Sequence, residues 1–273
     1  MRERIIVRGG GDIATGTIYK LYKSGFQVLI LETTNPSAIR RNVAFSEAVY
    51  AGEQKVEDVT CYRAENLQEA EQLLNDGKLV LLVDPKGECI QKLQPFAVID
   101  AILAKRNLGT TKDMASLTVG LGPGFTAGKD VDVVVETMRG HRLGRLIYEG
   151  SAIPDTRIPG NVGGYTKERV IHSPEEGTIH HICHITDTVE KGQEIAQIQT
   201  TDGPVSVYAS ISGLLRGLIR DGYPVTKGFK IADIDPRADE YDNCFTISDK
   251  ARCIAGGVLE AVMRALTDEE VRR

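Results

Sequence analysis

The sequence predicts an α/β protein with a Rossmann-like N-terminal region, followed by a small all-β module and a C-terminal helix. Three observations predict this arrangement. The first 32 residues follow the order strand, glycine turn, helix, strand, acid. An internal repeat with a shift of 36 residues covers residues 177–234. An apolar stripe at helical spacing follows Ser248, a residue type that favours the start of a helix.

Length and composition indicate a globular protein of about two domains. The chain has 273 residues, of which 41% are hydrophobic and 26% are charged, and its net charge is −5. An acidic chain of this kind is not expected to bind nucleic acid as its main task. No segment approaches the roughly 18 apolar residues of a membrane span, and the start lacks a signal-peptide pattern. The five cysteines are odd in number and form no CxxC, so we expect free thiols in the cytoplasm.

The predicted regions are residues 1–165 for the Rossmann-like part, 166–238 for the β module and 239–273 for a helix that packs back on the protein. Within the first region, further α/β units are predicted after the opening one. They comprise a strand over 56–62, a helix over 66–74 and a buried strand over 79–83.

The glycine turn after the first strand is the first candidate binding site. Its spacing fits G-x-G-x-x-A, a pattern that lets the backbone approach a phosphate at the N-terminus of the next helix. The acid at the end of the second strand is placed to accept from a ribose hydroxyl. The candidate residues are Gly9, Gly10, Gly11, Asp12 and Glu32. Two alternatives stay open: an empty nucleotide fold, and a simple capping role for the acid at the helix start.

Two later stretches add candidate residues. The strand over 79–83 ends in a turn with Asp84 and Lys86, at the sheet edge where ligands gather in open α/β folds. Residues 117–145 combine a glycine-rich strand exit with several cations, a composition that suits an anion-binding concavity. We expect an anion site, facing the same cleft as residues 84–87, to be formed by Gly122, Gly124, Phe125, Gly128, Lys129, Arg139 and His141. The alternative is a tight turn beside a solvated basic loop.

The C-terminal half contains the repeat. Residues 177 and 213 are both glycines, and at the same shift VEKGQEIAQI aligns with VTKGFKIADI without a gap. Two such halves are expected to cover each other's apolar faces in a quasi-symmetric β sandwich. The pattern resembles the biotinyl/lipoyl and barrel-sandwich-hybrid family over residues 170–236. That family carries a lysine on the hairpin joining the halves. Residues 199–204 contain no lysine, so we expect neither biotin nor lipoate.

A cluster of potential metal ligands lies in the first half of this repeat, at His180, His181, Cys183 and His184. Side chains alternate along a strand, so the first and last of these share one face while the other two point to the opposite face. No carboxylate is fixed nearby by spacing. We therefore predict no metal site.

Motifs along nearly the whole chain resemble one known family. They are VRGGGDIATG at 7–16, VDPKG at 83–87, AKRN at 104–107, GLGPGFTAGKDV at 120–131 and VETMRGHRLG at 135–144. Together with the β module they are similar to the accessory proteins of the selenium-dependent molybdenum hydroxylase system (YqeB type). The middle motifs also resemble those of the xanthine dehydrogenase accessory family.

The resemblance implies a cytosolic role in maturing a molybdenum hydroxylase, by binding or handing over the molybdenum cofactor or a related phosphorylated ligand. That cofactor is a pyranopterin carrying a phosphate or a nucleotide. The implied partners are a client hydroxylase and a small phosphorylated ligand, and homo-oligomer formation stays open. Sulfur or selenium transfer would need a reactive cysteine, for which Cys89 is best placed, although an inert buried cysteine is equally consistent. The alternatives are a nicotinamide-dependent oxidoreductase and a non-catalytic scaffold, so catalysis itself stays open.

Overall fold

The structure, a computed structural model, describes residues 3–156 and 158–268. Contacts divide these residues into two compact units. The first unit comprises residues 3–36, 44–156 and 247–268, and the second comprises residues 37–43 and 158–246. The predicted boundaries at 165 and 238 therefore differ from the observed ones. The C-terminal helix belongs to the first unit instead of forming a region of its own.

The first unit is built on a nine-stranded mixed sheet. Its strands are β1 (Arg4–Arg8), β2 (Gln27–Glu32), β3 (Glu53–Val56), β4 (Val59–Ala64), β5 (Leu79–Val83), β6 (Ala97–Asp100), β7 (Leu117–Leu121), β8 (Val133–Val135) and β9 (Leu146–Ile147). Its α-helices are α1 (Asp12–Lys23), α2 (Ala48–Ala51), α3 (Leu67–Asn75), α4 (Cys89–Leu93) and α5 (Asp249–Thr267). The strand order is β3-β4-β5-β2-β1-β6-β7-β8-β9.

The central strands are continuous apolar runs because both faces of a parallel sheet are covered. β1 pairs in parallel with β2 on one side and with β6 on the other. Ile5 and Ile6 of β1 and Val80 and Leu81 of β5 are fully buried. This apolar centre fixes the depth and register of the loops at the carboxyl ends of the strands.

The predicted Rossmann-like fold class is wrong. Such a fold alternates strands and helices, whereas here β6 is joined to β7, and β7 to β8, by loops without an α-helix. The β3–β4 pair is antiparallel and so is the β8–β9 pair, so hairpin-type pairing extends the sheet at both of its edges. The fold is therefore α/β with a mixed nine-stranded sheet, accompanied by two antiparallel sheets in the second unit.

Helix α5 lies directly against α1. A Cβ atom built on Gly16 would lie 2.8 Å from the Cβ and carbonyl atoms of Ala251, and one built on Gly257 would collide with the carbonyl oxygen of Gly144. These glycines allow the backbones to touch. The helix starts where predicted, since the Ser248 side chain accepts the N–H of Ala251 at 3.2 Å. No helix in the described residues is long and apolar enough to cross a membrane.

The second unit contains two four-stranded antiparallel sheets, ordered β10-β17-β15-β12 and β14-β13-β11-β16. The strands are β10 (Val170–His172), β11 (Gly177–His181), β12 (Thr188–Val189), β13 (Glu194–Thr200), β14 (Gly203–Tyr208), β15 (Gly213–Leu218), β16 (Pro224–Val225) and β17 (Lys230–Asp235). Their inward-facing side chains form one apolar cluster that includes Ile179, Ile198, Leu215 and Ile234.

The repeat of 36 residues appears in the strand pairing of this unit. Gly177 pairs with Val225, and Val189 pairs with Gly213, which is the same pair with the two halves exchanged. A Cβ atom at either glycine would collide with a carbonyl oxygen of the neighbouring strand. Each half therefore contributes a short edge strand to the sheet of the other half. The hairpin between β13 and β14 carries Thr201 and Asp202 at its tip, and the absence of biotin and lipoate stays a prediction.

Candidate anion-binding site

The carboxyl ends of β1 and β6 form the point where the sheet changes direction. From β1 the chain moves to β2 on one side, and after β5 it crosses to β6 on the other side. Loops that leave two neighbouring parallel strands in opposite directions open a crevice, and ligands of open α/β sheets bind in such crevices. The glycine turn at residues 9–11 and the loop after β6 line this point of the sheet.

The three glycines of the turn have different surroundings. A Cβ atom on Gly9 would lie 3.0 Å from Ala101 and Ile102, and one on Gly10 would lie 3.0 Å from the backbone nitrogen of Ser46. A Cβ atom on Gly11 would meet nothing within 4 Å. The first two glycines are therefore required for packing, while the third faces open space at the start of α1.

Glu32 holds the glycine turn in place. Its side chain is 9% exposed and accepts the N–H of Gly10 at 2.8 Å and the N–H of Thr33 at 2.7 Å. Burial raises the pKa of this carboxyl, and the two backbone N–H groups oppose the rise. The predicted ribose contact does not fit this geometry, because the carboxylate is buried and already bonded to the turn.

The carbonyl groups of the turn are also bonded internally. The hydroxyl of Thr15 donates to the carbonyl oxygen of Gly11 at 2.9 Å, and the N–H of Ser46 donates to that of Gly10 at 2.9 Å. The N–H groups of the first turn of α1 have no partner within an α-helix and point to its N-terminal end. Asp12 is the first helical residue, and the N-cap position before it is Gly11.

A buried ion pair that no local sequence pattern indicates lies at the carboxyl ends of β1 and β6. Arg8 is 2% exposed and its guanidinium lies 3.6 Å from the carboxylate of Asp100. The hydroxyl of Thr110 donates to the same carboxylate at 2.6 Å, and Arg8 also donates to the carbonyl oxygen of Pro85 at 3.3 Å. Removing one partner would leave a buried charge unpaired, which typically costs about 3–5 kcal/mol. The network ties the loops after β5 and β6 to the end of β1.

The turn at residues 84–87 serves helix α4. The carboxylate of Asp84 accepts the N–H of Glu88 at 3.0 Å and that of Cys89 at 2.9 Å. Burial acts to raise the pKa of Asp84, but these backbone bonds outweigh it and the pKa is lowered. Lys86 is exposed. The turn therefore stabilises a helix start, and the N–H groups of Glu88 and Cys89 already donate to Asp84 instead of being open to a ligand.

Cys89 lacks the properties of a reactive thiol. The residue is buried, and burial together with the hydrogen bond to Asp84 raises its pKa to about 12. A thiol with such a pKa stays protonated at neutral pH and is a poor nucleophile. The local geometry therefore argues against sulfur or selenium transfer at this position.

The second glycine-rich loop, residues 122–128, is packed rather than open. A Cβ atom on Gly122 would collide with Thr137, and one on Gly124 would lie 2.6 Å from the backbone nitrogen of Arg106. Phe125 is buried, with its ring 2.5 Å from the position of a Cβ on Gly120. Gly128 has a φ of +82° and contacts little. Most of these glycines allow close backbone approach inside the protein.

The shared cleft predicted for residues 84–87 and 122–128 would have to span strands that are not neighbours in the sheet. The strands that precede these loops, β5 and β7, are four positions apart in the sheet order. At about 4.8 Å per strand, that separation is about 19 Å. Gly122 does lie next to Thr137, so the loop is close to the segment that carries Arg139 and His141.

The predicted cations of the middle segment are mostly solvated. Lys129 and His141 are exposed. The guanidinium of Arg139 makes a bidentate ion pair with Asp249, at 2.9 and 3.2 Å, and both side chains are exposed. Such surface pairs contribute about 0–1 kcal/mol. Lys129, Arg139 and His141 therefore lie at the surface, and their convergence on one anion stays a prediction.

A lysine outside all predicted motifs interacts electrostatically with Asp12 at the start of α1. Lys250 is half-buried in the first turn of α5. Burial and the charge of Arg139 lower its pKa, against the opposing effect of Asp12, Asp155 and Glu136. A cation in the first turn of a helix opposes the helix dipole, and that violation is the signal by which the sequence could have identified it.

The histidine-rich segment of the second unit shows no metal-binding arrangement. His180 lies 3.9 Å from Asp221, and the ring of His181 is bonded to the carbonyl oxygen of Ile219 at 2.7 Å. In residues 3–156 and 158–268, no group of three or more His, Cys, Asp or Glu side chains is arranged to hold a metal ion.

Comparison of the sequence with known proteins gives one relative to report. No protein-family model matches the chain. The uncharacterized protein YqeB of Escherichia coli (strain K12) is 48% identical over 262 residues, which cover 96% of this chain and 47% of that protein. The chain thus spans about half the length of this curated relative. The similarity supports the YqeB-type resemblance and says nothing about molybdenum hydroxylase maturation.

Solved structures that resemble this chain do so weakly. A succinylglutamate desuccinylase/aspartoacylase from Rhodobacter sphaeroides is 15% identical, covers 32% of this chain and 29% of its own, and has a TM-score of 0.24. The apo ectoine utilization protein EutE (DoeB) from Ruegeria pomeroyi is 8% identical, with coverages of 85% and 86% and a TM-score of 0.26. An aspartoacylase family protein from Mesorhizobium loti is 11% identical, with coverages of 85% and 84% and a TM-score of 0.27.

These findings correct one expectation. The similar structures carry desuccinylase, aspartoacylase and ectoine-utilization names, and the relative in Escherichia coli is uncharacterized. Neither comparison supports the molybdenum hydroxylase, selenium and molybdenum-cofactor assignment. That assignment is withdrawn. TM-scores this low also give no ground for ascribing desuccinylase or aspartoacylase activity to this chain.

Proposed function

We propose that the first unit binds a small phosphorylated molecule in the crevice between the carboxyl ends of β1 and β6. The anion site is the N-terminus of α1, whose first-turn N–H groups and positive dipole end attract a phosphate. The observation that carries the proposal is the contrast within the turn: Gly9 and Gly10 are tightly packed, while the Cβ position of Gly11 is open for 4 Å. Packing within the protein therefore does not account for the third glycine.

The buried framework supports a preformed site. Glu32 fixes the N–H of Gly10, Thr15 fixes the carbonyl oxygen of Gly11, and the Arg8–Asp100 pair fixes the strand ends below. A site whose geometry is set in advance loses less entropy when the ligand binds. Because Glu32 is bonded to the turn, a dinucleotide that needs an acid for its ribose is less well served than a ligand recognised through its phosphate.

The test is isothermal titration calorimetry of the full chain with inorganic phosphate, AMP and NAD. The Cβ of Gly11→Val meets nothing within 4 Å. Because valine is a poorer N-cap residue than glycine, we expect the free energy of unfolding to fall by about 1 kcal/mol. We also expect a loss of affinity of at least about tenfold, or about 1.4 kcal/mol. Gly256→Ala is the matched control. Its Cβ also meets nothing within 4 Å, but it lies within α5, so ligand affinity should stay at the wild-type value.

The outcomes separate the alternatives. Tighter binding of NAD than of AMP would favour the nicotinamide-dependent reading over a ligand held by its phosphate. Absence of binding for all three molecules, or equal affinity in wild type and Gly11→Val, would show that the glycine turn is structural and binds no phosphate.

A further inference from the structure

The 36-residue repeat gives the second unit two equivalent outer sheet faces. Ile179 of the first half and its repeat partner Leu215 are both fully buried in the apolar cluster between the sheets. Side chains alternate along a strand, so the residues next to these inward-facing ones lie on the outer faces. The equivalent outer pairs are His180 and Arg216, Gln197 and Asp233, and Gln199 and Asp235.

The outer face of the sheet β10-β17-β15-β12 is covered by another segment of the same unit, residues 37–43. Gly217 of β15 pairs with an outer-face residue of β17, and a Cβ atom built on it would lie 2.8 Å from the side chain of Ile39. The carbonyl oxygen of Ile39 accepts the N–H of Leu218 at 3.0 Å. Arg41 donates to the carbonyl oxygen of Leu218 at 2.8 Å. The covering segment is therefore held by an isoleucine, by an arginine and through its backbone.

The equivalent face of the sheet β14-β13-β11-β16 is exposed, and we call it the open face. The side chain of His180 is 57% exposed, and Tyr208 on the edge strand β14 is 56% exposed. Ile182, which follows β11, is 47% exposed, whereas its repeat partner Leu218 is fully buried. Exposed tyrosines beside apolar side chains are typical of surfaces that bind another protein. The open face carries His180, Glu194, Gln197, Gln199, Ser206 and Tyr208.

The open face is also acidic. Residues 175–206, which contain β11, β13 and most of β14, include six acidic residues and one lysine. The equivalent residues 211–242 include six acidic and five basic residues. Hydrogen bonds from Ser206 and Gln197 lower the pKa of Glu194, so this carboxylate is charged at neutral pH. Complementary charge favours association, so a partner that docks on the open face is expected to be basic.

We propose that the open face docks a segment of a partner protein that carries an apolar side chain next to arginine or lysine. The segment over the equivalent face has this chemistry, with Ile39 followed by two arginines. On the open face, Tyr208 packs against the apolar side chain of the partner and Glu194 pairs with its cation. The proposal concerns the second unit and does not depend on the anion site of the first.

Charge also argues against other occupants of the open face. A second copy of this chain has a net charge of −5, and like charges repel when two acidic surfaces meet. Nucleic acids and anionic membranes are disfavoured for the same reason, because their phosphate groups are negative. A basic protein segment is the occupant that the residues on this face favour.

The experiment is an NMR titration of the full chain with the synthetic peptide SAIRRNV, which has the sequence of residues 37–43. Its ends are acetylated and amidated so that only the side chains carry charge. We expect the backbone amides of Gln197, Ser206 and Tyr208 to shift along one saturable curve, with a dissociation constant below about 1 mM. The charge-reversed peptide SAIEENV should give no saturable shift at the same concentrations, because Glu194 repels it.

Three variants locate the contact. Tyr208→Ala removes an exposed ring and should weaken binding of SAIRRNV at least about fivefold. Glu194→Gln removes the charge and keeps an acceptor oxygen for Gln197, and it should weaken binding about threefold. Glu53→Gln removes the same charge from an exposed position on β3 of the first unit, so it is the matched control and should bind as wild type.

Absence of a saturable shift with SAIRRNV overturns the proposal, and so does equal binding of SAIEENV. Shifts confined to Gly217 and Leu218 would mean that the peptide only displaces residues 37–43 from the covered face, and they also contradict the proposal. Shifts of the Tyr208 amide that depend on protein concentration without any peptide would identify a second copy of this chain as the occupant instead.

Discussion

The two glycine-rich loops of the first unit have similar composition and different tasks. In the turn at residues 9–11, Gly11 has no neighbour within 4 Å of its Cβ position. In the loop at residues 122–128, Gly122 abuts Thr137 and Gly124 abuts the backbone at Arg106. The first loop combines packed glycines with one open position at a helix N-terminus. The second consists largely of positions that let protein segments approach each other.

The difference teaches that glycine density alone does not indicate a ligand. A glycine is required where φ is positive, where a side chain would collide with the protein, or where it would collide with a ligand. The φ angle and the surroundings of the missing Cβ separate these reasons. A Cβ on Gly11 would meet no protein atom within 4 Å, whereas a Cβ on Gly124 would collide with the backbone of Arg106.

The largest effect is expected for Gly124→Ala. This residue has a φ of +116°, and its Cβ would lie 2.6 Å from the backbone nitrogen of Arg106, so strain and collision add. We expect the free energy of unfolding to fall by about 3 kcal/mol or more, measured by urea denaturation. The control is Gly109→Ala, which has a φ of +97° but no neighbour within 4 Å and should lose only about 1 kcal/mol. Equal losses of unfolding free energy in the two variants would show that close packing is not the reason for a glycine at position 124.

A smaller loss is expected for Glu32→Ala. This change leaves the N–H groups of Gly10 and Thr33 without their acceptor, which should cost about 2 kcal/mol of unfolding free energy. Phosphate affinity should fall as well, because the turn is no longer held in place. Glu32→Gln retains one acceptor oxygen and should lie between wild type and Glu32→Ala. Unaltered phosphate affinity in Glu32→Ala would show that the turn needs no support to bind.

The smallest effects are expected for the exposed cations of the middle segment. Lys129→Ala should change the unfolding free energy by less than about 0.5 kcal/mol, and Arg139→Ala should lose at most about 1 kcal/mol with its exposed partner Asp249. Phosphate affinity should change less than about threefold in Lys129→Ala. A tenfold loss there would move the anion site to the second loop.

The sequence predicted those elements whose local signals were strong. The helix after Ser248 and the apolar strand over 79–83 lie where expected, because a cap and an unbroken apolar run mark them. The strand predicted over 56–62 is instead the end of β3, a turn and most of β4. That turn contains Glu57 at a φ of 53°, without a glycine or proline to mark it. The absence of crossover helices around β7 also had no local signal.

The candidate site was predicted in part for the same reason. Gly11 follows from a pattern within one segment, as does its position at a helix start. Arg8 with Asp100, and Lys250 with α1, are pairings between segments that are far apart in sequence. Such pairings depend on the strand order and on which helices cross, and local sequence patterns do not specify either. Glu32 was identified as functional, but its bond to Gly10 required the fold.

The most direct test of the account follows backbone amide signals by NMR while inorganic phosphate is added to the full chain. We predict that the amides of Gly11, Asp12 and Ile13 shift with one saturable binding curve, because their N–H groups lie at the N-terminal end of α1. The amides of Gly122, Gly124 and Lys129 should stay unchanged. Shifts confined to residues 122–129, with residues 11–13 unaffected, would contradict the account and assign the anion to the other loop.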